Sequence, residues 1–283
     1  MSPAPQIVTT VAELRHRIAA FRQDEARIGL VPTMGALHAG HLSLVSETQK
    51  HVDAVIVSIF VNPTQFAPHE DFDRYPRGLT ADAEKLGTTG ETDLIFAPSV
   101  GEMYPPNFAT RVEVGGCAQG LESDVRPHFF SGVAIVVAKL LIAAMPDVAM
   151  FGEKDYQQLL VIRRMVADLG LGVQIMGAPI VREPDGLAMS SRNAYLTAEE
   201  RRTAGNLNVV LKGLIAELRD GATIAAAEDA GRRALLQSGF NSVDYLAVRD
   251  ARTLAPLSSL DRPARVLVAA TVGATRLIDN MAV

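Results

Sequence analysis

The chain has 283 residues, 48% of them apolar, with 27 basic and 32 acidic residues for a formal net charge of −5. That is enough chain for one large or two smaller buried cores, and the mild, interspersed charge offers no basic field for nucleic acid. A single cysteine, Cys117, excludes an intramolecular disulfide and agrees with a reducing cytoplasm; no stretch reads as a secretory leader, and the longest apolar run, 132–145, carries Lys139 and is too short for a bilayer.

Leu14, Ile18 and Phe21, spaced by three and four, predict a helix over 11–23. Residues 27–31 read as the first strand, ended by Pro32. A helix follows from His41 to about residue 50. The β-branched apolar run 54–61 reads as a strand covered on both faces, and Pro63 stops it. A helix over 80–86, a third strand over 93–96, a loop at Pro105 and Pro106, and a strand over 111–114 come next. Val133, Val136, Val137, Leu140, Leu141 and Ala144 form a wide apolar helical face, hence a buried helix. Strands over 148–151 and 173–176 bracket a helix carrying Leu159, Ile162, Val166 and Leu169. This alternation over 1–182 predicts an α/β fold, a Rossmann-like, doubly wound parallel sheet. From 183 the order changes to two helices, 198–219 and 223–237, then strands over 243–248, 266–272 and 276–278. Residues 183–283 thus read as a second, smaller α+β domain, a lid joined by a hinge around Pro184-Asp185-Gly186.

The stretch from Leu30 to His41 passes from strand through a turn with Gly35 and Gly40 into a helix start. The unpaired N–H groups and partial positive charge of a first helical turn favour anions, so this is the shape of a phosphate cradle. His38 and His41, three apart, share a face and can donate to phosphate oxygens. The other polar candidates follow predicted strands, and an open parallel sheet gathers ligands at the carboxyl ends of its strands. The amide of Gln65 can bond a hydroxyl and a carboxylate oxygen. In Phe151-Gly152-Glu153-Lys154-Asp155, Lys154 offers a point charge to β- and γ-phosphates, and Asp155 suits ribose hydroxyls or the helix N-cap. Gln158 lies one turn beyond Lys154 on the same face. Met189-Ser190-Ser191-Arg192-Asn193 supplies two hydroxyls and a guanidinium fork for a triphosphate. Singly, each of these also suits a solvated turn or a capped helix start.

Together they resemble one family. His38-Ala39-Gly40-His41 is similar to the H-x-G-H motif of nucleotidyltransferases and class I aminoacyl-tRNA synthetases, and the longer run from Pro32 resembles the narrower form found in pantoate–β-alanine ligases. Residues 60–66 resemble that family's pantoate-binding loop, 151–158 its ATP-binding segment, and 189–192 its M-S-S-R form of the mobile K-M-S-K-S element; 244–246 and 276–280 match as well. The resemblance implies ATP-dependent condensation of (R)-pantoate with β-alanine to pantothenate, AMP and pyrophosphate through a pantoyl adenylate. It further implies Mg²⁺, a cytoplasmic homodimer, and neither nucleic acid nor membrane as partner.

The ATP contacts so implied come from Pro32, Thr33, Met34, Gly35, Ala36, Leu37, His38, Ala39, Gly40 and His41, from Gly152, Glu153, Lys154 and Asp155, from Val181, and from Met189, Ser190, Ser191 and Arg192. His38, His41, Lys154, Ser190, Ser191 and Arg192 carry catalysis in that reading; Asn62, Gln65, Arg126 and Gln158 hold pantoate; Asp82 lies near Mg²⁺, although its often acidic neighbour is Ala81 here. One departure stands out. Where the family reads R-P-x-H-F-x-G, this chain has Arg126-Pro127-His128-Phe129-Phe130-Ser131-Gly132, with the histidine one place early. A nucleotidyltransferase of another cofactor pathway, which releases no AMP, is the alternative; a non-catalytic nucleotide-binding module is a third reading.

Overall fold

The computed structural model describes residues 5–67 and 72–283; His69 lies outside them. The first half is built from β1 (Gln6–Val8), α1 (Val11–Gln23), β2 (Ile28–Thr33), α2 (Ala39–Gln49), β3 (Ala54–Ile59), α3 (Leu79–Thr89), β4 (Leu94–Phe96), α4 (Val100–Met103), α5 (Glu122–Val125), α6 (Phe129–Ala144), β5 (Val148–Gly152), α7 (Tyr156–Asp168) and β6 (Gln174–Ala178). The strands form one parallel sheet in the order β1-β4-β3-β2-β5-β6. Side chains alternate across it. Leu30, Ile56, Phe96 and Phe151 pack under α1, α6 and α7, whereas Val31, Val57, Ile95 and Met150 pack under α2 and α3.

The order in which successive strands are added reverses between β2 and β5, which lie side by side and parallel. Their ladder covers only Gly29 and Leu30 on β2, against Val148 and Ala149 on β5. Beyond that pair the strands part, which opens the crevice expected at such a switch point.

The second half contains α8 (Ala198–Arg219), α9 (Ile224–Gln237), β7 (Ser242–Asp250), β8 (Ala264–Val272) and β9 (Thr275–Ala282). The three strands make an antiparallel sheet in chain order, and its own core includes Leu207, Leu211, Leu235, Val266 and Val268. The side chain of Thr197 and that of Glu200 cap each other's backbone at the start of α8, as Thr10 and Glu13 do for α1.

Three local features differ from, or add to, the sequence reading. The strand expected over 111–114 is irregular: Val112 and Val114 pack on the core while Arg111 and Glu113 face solvent, so the alternation is satisfied without a neighbouring strand. Gln6–Val8, too short to stand out in the sequence, is an edge strand on β4. The expected hinge is a tight hairpin, with Arg182 bridged to Ala188 and the Arg182 guanidinium 2.7 and 2.9 Å from the two oxygens of Asp279 on β9. Gly186 sits there at φ +92°, and a Cβ would lie 1.8 Å from Nδ2 of Asn208.

Candidate active site

A cleft at the switch point brings the ends of β2, β3 and β5 against β9 and the segment 189–192. Its floor is the β2–α2 loop. His38 caps α2: its Nδ1 accepts the Gly40 N–H at 3.1 Å, and Nδ1 of His41 accepts the His38 N–H at 3.4 Å. The two rings sit 4.1 Å apart between centroids. An accepting Nδ1 puts the proton of each neutral ring on Nε2. Burial, with Lys154 and Lys85 adding positive charge nearby, pushes His38 down to about 4. Burial, then His38 and the same lysines, push His41 down to about 3. At neutral pH both rings are therefore uncharged donors through Nε2–H.

The expected backbone cradle is corrected here. The N–H groups of Gly35, Ala36, Leu37, His38, Gly40 and His41 all donate within the protein. The side-chain donors that this loop turns toward the cleft are the two imidazoles. Gly35, Ala36, Leu37 and Ala39 do not line the cleft: Leu37 is buried in the core and Ala39 is exposed. Pro32, Thr33, Met34, His38, Gly40 and His41 do line it.

Asp82 is corrected too. It is 2% exposed, and its two oxygens accept the Ala36 and Leu37 N–H groups, each at 2.8 Å. Lys85, one turn along α3, donates to the Leu37 carbonyl at 2.8 Å. Asp82 therefore anchors the loop from behind and is not among the residues that line the cleft.

On the β3 side, Asn62 is 1% exposed and fully engaged. Its Nδ2 donates to Gln65 Oε1 at 3.1 Å and to the Gly132 carbonyl at 3.0 Å, while Oδ1 accepts the Tyr104 hydroxyl at 2.7 Å. Asn62 thus orients Gln65, whose Nε2 lies 2.9 Å from the Met34 sulfur and is its remaining donor into the cleft. Arg126 donates to the Gln65 carbonyl at 3.0 Å and to Glu122 at 3.0 Å, with its guanidinium 4.0 Å above the Phe129 ring. The family departure has a local outcome: Phe129 lines the cleft and His128 is exposed away from it.

On the β5 side, Lys154 and Asp155 line the cleft, with Nζ 3.8 Å from the carboxylate. Asp155 makes no side-chain cap to α7, so it is available to a ligand. Gln158 lines the cleft beyond them. Glu153 does not; its carboxylate pairs with Arg265 at 3.1 Å, a correction to its place among the ATP contacts. From above come Val181, Met189, Ser190, Ser191 and Arg192. The Ser190 oxygen accepts the Arg192 N–H at 3.3 Å, and Ser191 is 3.1 Å from the Tyr75 hydroxyl.

Glu122, Tyr245, Arg276 and Asn280 also line the cleft, and sequence reasoning does not single them out as site residues. Glu122 is 5% exposed yet ionised. Burial alone would raise its carboxyl, but Arg276 and Arg126 overcome that and hold it low. The one signal for the other three is the likeness of 244–246 and 276–280 to the family. Among the described residues, no group of three or more His, Cys, Asp or Glu side chains could hold a metal by itself.

The arrangement offers a neutral donor pair from the β2–α2 loop, a lysine and the Gln158 amide from the β5 side, the Gln65 amide from the β3 side, and hydroxyls from 190–191. The sequence model described as pantoate-beta-alanine ligase matches residues 6–282. A pantothenate synthetase of Nitrobacter winogradskyi is 56% identical, and one of Caulobacter vibrioides 54%, covering 99–100% of both chains in each case. Among solved structures, pantothenate synthetase from Thermus thermophilus superposes with a TM-score of 0.91 at 48% identity, over 98% of both chains. Pantoate-beta-alanine ligase from Francisella tularensis, complexed with beta-gamma ATP and beta-alanine, gives 0.84 at 33% identity, over 99% of this chain and 98% of that one.

Proposed function

The chain belongs to the pantoate–β-alanine ligase family, an ATP-dependent ligase joining (R)-pantoate to β-alanine, and we propose that the switch-point cleft does this through a pantoyl adenylate. The observation that supports the reading most is the convergence on one cleft of two neutral Nε2–H imidazoles, Lys154, and the amides of Gln65 from the β3 side and Gln158 from the β5 side. A carboxylate does not condense with an amine in water because its leaving group is poor. Attack of a pantoate oxygen on the α-phosphorus, with loss of pyrophosphate, makes a mixed anhydride. Attack of the β-alanine nitrogen on its carbonyl carbon then forms the amide, releases AMP and frees a proton. The work left to the protein is positioning and charge stabilisation.

In this reading His38, His41, Lys154, Ser190, Ser191 and Arg192 meet the phosphates, Asp155 the ribose, and Val181 with Met189 the adenine. Gln65 and Gln158 meet pantoate; Asn62 and Arg126 act through Gln65. Mg²⁺, which neutralises phosphate charge when bound, would ride on the triphosphate as this ion commonly does. Among the described residues, Asp155 is the lining carboxylate without a guanidinium partner, unlike Glu122 and Asp279. We place residues 183–283 as the cover of the site, and assign the cytoplasm and a homodimer on the family resemblance. No helix among the described residues is long and apolar enough to cross a membrane.

A single-turnover mixture of enzyme, ATP, Mg²⁺ and pantoate should release close to one pyrophosphate per site and stall. β-Alanine should then discharge pantothenate and AMP. Pyrophosphate appearing only with β-alanine would rule out a separate activation step.

A further inference from the structure

We propose that Arg276, on β9, is a positioning residue for the pantoate subsite; this rests on the functional reading above. Along β9 the side chains alternate. Arg276, Ile278 and Asn280 face the cleft, while Leu277 enters the core of the C-terminal sheet. Arg276 grips Glu122 with both terminal nitrogens, at 2.8 and 2.9 Å, and its Nε holds Asp244 at 2.6 Å. Glu122 also takes Arg126, and the Tyr245 hydroxyl at 3.2 Å. Arg126 ends the chain on the Gln65 carbonyl.

A continuous set of charge-assisted bonds thus runs from a strand late in the chain to the backbone of the residue that meets pantoate. Buried ion pairs of this kind contribute little net stability compared with apolar packing of the same volume; what they fix is geometry. Arg276 occupies both Glu122 oxygens, which leaves Arg126 a single bond to Glu122 and a second nitrogen for Gln65. Without Arg276, the Arg126 fork would close on both carboxylate oxygens and let the Gln65 carbonyl go. The ATP wall is held differently, by Asn280 Nδ2 on the Glu153 and Lys154 carbonyls, each at 2.9 Å. The loss should therefore be selective.

The test is steady-state kinetics on the full-length chain with each substrate varied in turn, alongside thermal melting. Arg276→Gln should raise KM for pantoate tenfold or more and leave KM for ATP within twofold. Arg276→Lys, which restores the charge without the fork, should recover part of the pantoate KM. Equal rises in both constants, or a lower melting temperature with pantoate KM unmoved, would make Arg276 merely structural and overturn the proposal. Should Arg276→Gln fail to fold, the same split in Arg276→Lys decides. Wild-type protein without pantoate-dependent turnover would remove the functional reading and this proposal with it, whereas wild-type turnover with an unsplit variant removes the proposal alone.

Discussion

Asp82→Asn separates two roles for one carboxylate. Both oxygens of Asp82 are occupied by backbone N–H groups at 2.8 Å, and the side chain is 2% exposed. The asparagine keeps one acceptor and turns an NH₂ group toward the other N–H. One charge-assisted bond is lost, at about 1.5–3 kcal/mol, and a buried donor is left unpaired, so the expected destabilisation is about 2–4 kcal/mol. For a chain of this size that is a fall in melting temperature of roughly 3–7 °C. The loop it anchors holds Ala36 at φ +51°, a left-handed conformation that costs a non-glycine residue and needs outside support. Turnover should therefore fall as the His38–His41 pair loses its footing. The assay is thermal unfolding together with a Mg²⁺ titration of pyrophosphate release. An unchanged melting temperature with a raised Mg²⁺ requirement would make Asp82 a metal ligand and refute the anchoring argument.

The two subsites should respond separately: Lys154→Ala should raise KM for ATP and lower the rate, Gln158→Ala should raise KM for pantoate, and the reverse pattern in substrate kinetics would exchange the assignments. Gly132→Ala should weaken pantoate and lower the melting temperature, because the new methyl would lie 2.3 Å from the Thr64 carbonyl and push the Gln65 loop aside; wild-type values for both would show that the loop moves freely. His38 and His41 titrate at about 4 and about 3 when folded, against 6.5 as the ordinary value. Between these limits the unfolded chain binds more protons, so their contribution to stability is present above pH 6.5 and is lost as pH falls toward 4 and 3. The melting temperature should drop across that window, less steeply in His38→Gln/His41→Gln, and pyrophosphate release should show no inflection near 6.5 from either ring.

Much of the fold was legible because the sheet is buried on both faces. Runs such as 54–59 carry no polar residue but Ser58, and the wide apolar faces of helices such as α6 and α7 mark the elements that cover the sheet, although of the covering helices only α1 and α2 start on side-chain caps. Gln6–Val8 was invisible because three residues carry no pattern, and 111–114 misled because Val112 and Val114 find apolar contacts without a strand partner. The histidines, Lys154 and the glutamines, singled out in the sequence, all line the cleft. What was not legible was orientation. Asp82 and Glu153 have residue types that suit a metal or a nucleotide, yet each faces a neighbouring element that sequence spacing does not reveal. Glu122 and Arg276 lie 154 positions apart, and only the folded chain makes them partners.

The charges of Glu122, Arg126, Asp244 and Arg276 cancel one another inside the wall of the cleft. That cancellation bears on reactivity. A carboxylate gripped by a full positive charge has its lone pairs drawn away and attacks phosphorus poorly. One oriented by the neutral amides of Gln65 and Gln158 keeps its electron density. By setting its two arginines against their own acids, this wall can hold an acid substrate in place without blunting it as a nucleophile.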